Sequence, residues 1–315
     1  VTVGWFLLVY AAIVGTGGPL WFRRASWPLR TPRLAITVYL AACWSLLVAL
    51  LLAGVALAVP ATALGGGISS TLGACIVRLR AAYATPGGSL VAGVGLAVSA
   101  ALLIRLGAAT ASQVSAMRRQ ARRQVDLALM IGRRAPELDA IVVDDANPSA
   151  FCVGGRRPTV VFTTAALDSL SPDQVRAVLA HERAHLAHRH HRLLTAGRVM
   201  ARALPFVPLL HEAPVELGRL VEMHADDAAT ENHDRAVLAT ALVTLATTPS
   251  LQPVLAAAAT EALARMRRLL APSPPLNSAG RRLANFTVAA LVLLPLLFAV
   301  TPALVALAMG RVTPQ

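Results

Sequence analysis

Four stretches of this chain, at about 3–22, 34–59, 90–110 and 284–309, are almost free of charge. Each approaches or exceeds the ~20 residues that a helix needs to cross about 30 Å of hydrocarbon. They predict four transmembrane helices. Pro295 and Pro302 lie within the fourth, where a spanning helix tolerates kinks if neighbours satisfy the freed carbonyls. The first stretch has no basic leader, so a cleaved signal peptide is not expected. Composition agrees, with 56% hydrophobic and 14% charged residues, against roughly a quarter charged in a typical globular domain.

The net charge of +13 comes from arginine alone, since the chain has no lysine. No nucleic-acid-reading motif accompanies these arginines, and none is expected to bind DNA or RNA. They follow the positive-inside bias instead. Arg23, Arg24, Arg30 and Arg33 lie between the first two spans, Arg118, Arg119, Arg122 and Arg123 follow the third, and Arg281 and Arg282 precede the fourth. Only Arg78 and Arg80 lie between the second and third. A multi-pass cell-membrane protein with both termini outside is the expectation, with residues 1–110 holding three spans, 111–283 a cytoplasmic domain and 284–315 the fourth span and a short outer tail. Arg105 reads as snorkelling to the inner surface, and the glycine-rich 61–77 as loop. Cys43, Cys75 and Cys152 suggest neither a disulfide framework nor a thiolate metal site.

The polar insert opens with a helical stretch, "SQVSAMRRQARRQVDLALMIGRRA", whose arginines are expected to face anionic lipid. Two or three short strands follow, around Ile141-Val142-Val143 and Val160-Val161-Phe162-Thr163, with turns at Asn147-Pro148 and Gly154-Gly155. Ser171, Pro172 and Gln174 then mark a helix start with a capping box. A second helix is expected over "APVELGRLVEMHADDAATE" and a third over "AAATEALARMRRLL".

Inside the capped helix, "HERAHLAHRHH" (181–191) packs five histidines into eleven positions. His181-Glu182-Arg183-Ala184-His185 is H-E-x-x-H, which sets two imidazoles on one helical face, able to share a zinc ion. Glu182, turned away from them, is placed to act as general base on a zinc-activated water. A merely solvated histidine-rich face is the competing reading. A partner lies downstream in "EMHAD": Glu222 is the candidate third ligand, leaving a fourth position open for water. Asp226, four residues on, would accept the other N–H of a ligand histidine. Glu212, Glu216 and Glu231 are rival ligands, and Asp227 reads as a solvated charge. His188 reads as surface or supporting, and His190 and His191 as a solvated helix end. His211, His224, His233 and Arg235 are open candidates for stabilising an oxyanion.

Three spans, a domain with "HERAH" and "EMHAD", then a fourth span resemble the BlaR/MecR antirepressor-type membrane metallopeptidases. The run "NPSAFCVGGRRPTVVFTTAALDSLSPDQVRAVLAHERAHLAHRHH" is similar to the HtpX and CAAX-prenyl-protease type. The resemblance implies a mainly α membrane protein whose cytoplasmic α+β gluzincin (zincin-like) metalloprotease domain is inserted between helices 3 and 4. It implies one Zn2+ per chain on His181, His185 and Glu222, with Glu182 as general base and Asp226 ending the second motif. It also implies that Val160, Val161, Phe162 and Thr163 form the edge strand that binds substrate backbone. The implied partner is a protein substrate such as a cytoplasmic DNA-binding repressor; a homo-oligomer is compatible. The antirepressor sensors continue into an outer penicillin-binding domain that these residues lack, so direct β-lactam acylation is not expected. A quality-control protease like HtpX is the alternative, and a non-catalytic receptor or scaffold the second.

Overall fold

The computed structural model describes residues 2–58, 88–154, 158–246, 255–271 and 274–310. The 61–77 loop, Arg78, Arg80 and Gly155 lie outside these residues. Among them, four helices are long and apolar enough to cross a membrane: Val3–Arg24, Pro32–Leu57, Leu90–Ile131 and Ser278–Thr301. They belong to α1 (Thr2–Arg24), α2 (Pro32–Ala58), α3 (Gly88–Ile131) and, at the far end of the chain, α11 (Ser278–Gly310).

Helix α3 runs unbroken past the end of its apolar part. Its 44 residues extend about 66 Å at ~1.5 Å per residue, so the arginine-rich stretch continues the third apolar helix. The expected helix to Ala135 ends four residues early: Gly132–Ala135 is a strand, β1. A Cβ at Gly132 would meet Ala128 O at 2.4 Å and Ile141 Cγ2 at 2.5 Å. Only glycine allows helix and sheet to meet so closely here.

Strands β2 (Ala140–Val143), β3 (Ala150–Val153) and β4 (Thr159–Thr163) complete a mixed sheet in the order β1-β2-β4-β3. β2 and β4 are parallel, and the outer pairs are antiparallel. Side chains alternate across the sheet. Val160 and Phe162 join Val175, Val178 and Leu179 on one face, while Ile141, Val153 and Val161 meet Val125 and Ala128 of α3 on the other. β4 is covered on both faces and paired on both sides, so Val160, Val161, Phe162 and Thr163 do not form the edge expected of them. The edge nearest the cleft is β3.

The helices that follow are α4 (Thr164–Ser169), α5 (Pro172–Ala187), α6 (His190–Ala203), α7 (Pro208–His211), α8 (Ala213–Ala229), α9 (Arg235–Ala246) and α10 (Leu255–Leu270). The Ser171–Gln174 capping box is present, with Pro172 in the first turn. The largest core joins both halves of the chain: Phe22, Tyr39 and Leu46 pack with Leu209, Leu217 and Leu220.

Candidate metal centre

Helix α5 carries His181, Glu182 and His185, and α8 carries Glu222 and Asp226; the two helices pack directly on one another. His181 Nε2 lies 3.1 Å from His185 Nε2. Glu222 places Oε2 3.5 Å from His181 Nε2 and Oε1 3.6 Å from His185 Nε2. Bonds of ~2.0–2.1 Å in a tetrahedral site separate neighbouring ligand atoms by roughly 3.3 Å. Glu222 turns a different oxygen to each ring, and one ligand atom from each of the three residues lies within 4.8 Å of the others, so these residues fit a zinc ion with one position open. Among the described residues, these three form the one such cluster of potential ligands.

Asp226 supports the cluster from behind. It is fully buried, with Oδ1 3.1 Å from His181 Nδ1. That pair meets at ion-pair distance without the alignment of a hydrogen bond. Arg265, from α10, grips Asp226 with both arms of its fork, Nη2 to Oδ1 at 2.6 Å and Nε to Oδ2 at 2.9 Å. Its Nη1 reaches Glu222 Oε2 at 3.0 Å. A planar guanidinium suits this bidentate geometry as an ammonium would not.

Proton affinities follow from these neighbours. Burial pulls the His181 ring down, but Asp226 and Glu222 outweigh it and hold it at about 9. Burial lowers His185 to about 4, against the pull of Glu222. Glu222 is pushed up by burial, yet His181 and Arg265 bring it down to about 2. Asp226 is likewise held below the usual carboxylate range, by Arg265 and His181 against its burial. Glu182 goes the other way: burial raises it, opposed by His181 and reinforced by Glu222. Glu222, kept ionised, thus stands in the same cleft as Glu182, a carboxylate with increased proton affinity.

An open cleft of about 390 Å³ exposes this chemistry. Ala150, Phe151 and Cys152 of β3 form one wall, facing Glu182 and the ligand cluster. Burial, then the nearby Glu182 carboxylate, push the Cys152 thiol up to about 12. β3, not β4, therefore presents the strand edge to the cleft.

Two expectations about the surroundings change. His190 is not solvated: it is 1% exposed, with Nδ1 3.1 Å from His185 Nδ1 and Nε2 3.0 Å from His224 Nδ1. Arg189, in the left-handed region at φ 53°, breaks the helix just before it. Asp227 is paired with Arg268 at 2.6 Å. Arg105 donates from Nε to Ala203 O at 2.9 Å. The rival ligands are occupied elsewhere, Glu212 by Arg23 and Glu216 by Arg219, while Glu231 is exposed. Arg235, His211 and His233 do not line the cleft. Arg265 was hidden among three arginines in four positions, where only the i, i+3 spacing of Arg265 and Arg268 marks a common face.

Among the curated proteins similar to part of the chain are two relatives of the same name. Each is a protease HtpX homolog, one from Ralstonia pickettii (strain 12J) and one from Ralstonia nicotianae (strain ATCC BAA-1114 / GMI1000), and each is 41% identical over 66 residues, 20% of this chain and 23% of the relative. The chain thus spans about a quarter of the length of these relatives. No solved structure matches. Residues 114–211, which hold His181, Glu182 and His185 but stop short of Glu222, match peptidase family M48.

Proposed function

We propose that this chain is an integral-membrane zinc endopeptidase whose cleft opens at the cytoplasmic face. The observation that carries the reading is the convergence of His181, His185 and Glu222 at zinc-ligand spacing, with Glu182 in the same cleft. Zinc held there would supply Lewis acidity and a water that loses its proton near neutral pH. Glu182 would hold a proton on its carboxylate and deliver it to the leaving amine. Its raised proton affinity suits both roles. Asp226 and Arg265 hold His181 and Glu222 in place. The free edge of β3 receives the substrate backbone as an added strand, which sets the scissile bond across the cleft. A non-catalytic receptor would need the ligands but no base beside them.

Four apolar helices of spanning length support a multi-pass arrangement with both termini outside. The arginine-bearing turn between α1 and α2 lies on the peptidase side, where Arg268 donates to Leu29 O at 2.8 Å.

Two substrate classes are in contention. Similarity to the HtpX homologs favours quality control, the removal of damaged membrane proteins. The placement of the domain between the third and fourth apolar helices favours signalling by cleavage of a cytoplasmic transcriptional repressor. The test is to compare new protein N-termini in cells carrying the intact chain with those carrying Glu182→Gln. Many cut membrane proteins support quality control, and a single cut DNA-binding protein supports signalling. No difference between the strains rejects the peptidase.

A further inference from the structure

The connection from α6 to α8 does not rest on the ends of the apolar helices but enters between them. A Cβ at Gly15 would stand 3.1 Å from Val207 Cγ1 and 2.9 Å from Leu46 Cδ1, and one at Gly18 would stand 3.2 Å from Leu209 Cδ1. Further along, Glu212 pairs with Arg23. Residues 207, 209 and 212 thus climb α1 in step with residues 15, 18 and 23. At ~1.5 Å per residue, Gly15 is about 12 Å down the helix from Arg23, and Leu46 is roughly 20 Å along α2 from Arg33. Of these three positions Val207 lies deepest.

Irregular backbone at such depth is tolerated only where its polar groups find partners. Here they do, and the apolar helices supply them. Arg105 Nε donates to Ala203 O, one of the last carbonyls of α6, and a cation at that helix end is also favoured by its dipole. Tyr39 Oη donates to Leu209 O at 2.7 Å in a buried bond. Pro205 and Pro208 bring no N–H to satisfy. Leu204, Leu209 and Leu210 are buried in the core to which α1, α2 and α3 contribute. Phe206, at the tip, is 76% exposed. The apolar helices also expose Trp44, Leu103 and Ile104.

We propose that residues 203–212 form a re-entrant segment in the inner leaflet, with Phe206 packed among lipid acyl chains. This rests on the reading of α1, α2 and α3 as membrane spans. Contacts confined to Phe22, Trp27 and Leu34 would have made the segment a surface cap. The reach of Val207 to Gly15 makes it an embedded one.

The test is site-specific replacement of Phe206 by the photo-crosslinker p-benzoylphenylalanine in the full chain, illuminated in native membranes. Phe286, 71% exposed on α11, and Phe151, 36% exposed on β3, carry the same replacement as references. All three are exposed, so the larger ring is accommodated without disturbing the core. The expected result is a mass increase of one phospholipid at positions 206 and 286, mapped to the acyl chain, and none at 151. Lipid adducts at 286 but not at 206, or a protein adduct at 206, would overturn the re-entrant segment and leave the spans standing. Absence at both 206 and 286 would remove the membrane reading and the segment with it.

Discussion

His190 Nδ1 stands 3.1 Å from His185 Nδ1, so the His185 ring is held from behind by a second, buried imidazole. Two δ nitrogens facing one another allow one donor and one acceptor. When His190 accepts, His185 carries its proton on Nδ1 and offers the Nε2 lone pair to a metal. His224, 3.0 Å from His190 Nε2, sets the tautomer of His190 in turn. Partners of this kind fix the orientation of metal-bound imidazoles.

His190→Ala should therefore weaken zinc binding by about 10-fold or more while leaving the three ligands in place. Competition against a chromophoric chelator reads the affinity directly. An Asn at 190, which can still accept from His185, should recover part of the loss. Equal affinities in all three proteins would show that His185 needs no support.

His185→Ala should remove most of the bound zinc, of which the intact chain should hold about one ion. Glu182→Gln should retain the metal and lose cleavage on the order of 10²–10⁴-fold. Metal analysis and a peptide-cleavage assay on the same preparations separate the two roles. Unchanged proteolysis in the glutamine variant would end the assignment of Glu182 as base.

Arg265 and Asp226 form a buried bidentate pair, with side-chain exposures of 13% and 0%. Removing the guanidinium leaves an uncompensated carboxylate, and Arg265→Ala should lower stability by about 3–5 kcal/mol. Lysine should restore only part of it, since one ammonium cannot replace the fork. Thermal unfolding of the detergent-solubilised variants measures both.

In metal-free protein, acid and base should each weaken the site. Glu222 is depressed from 4.5 to about 2, so its contribution is present above 4.5 and lost as pH falls through that window. His181 is raised from 6.5 to about 9, so its contribution is present below 6.5 and lost as pH rises towards 9. The melting temperature of chelator-treated protein should peak between these windows. Glu222→Gln should flatten the acid limb, and an unaltered limb in that variant would exclude Glu222 as its source.

The amino-acid sequence by itself determined what is local and periodic. The apolar runs are legible because hydrocarbon demands length. The capping box at Ser171–Gln174 is legible because unpaired N–H groups at a helix start demand acceptors within three residues. The shared faces of His181 with His185, and of Glu222 with Asp226, follow from 3.6 residues per turn. Contacts across long separations were decided only by the fold. β4 reads as a strand in either case, but its central place depends on β3 crossing to its far side. Arg265 reaches Asp226 from 39 residues away, and His190 turns inward because Arg189 takes a backbone conformation that no spacing rule favours for arginine. Helical period says which side chains share a face. Which face meets which is set by the packing of whole elements, and that packing places the arginine, the second imidazole and the strand edge around the same cleft.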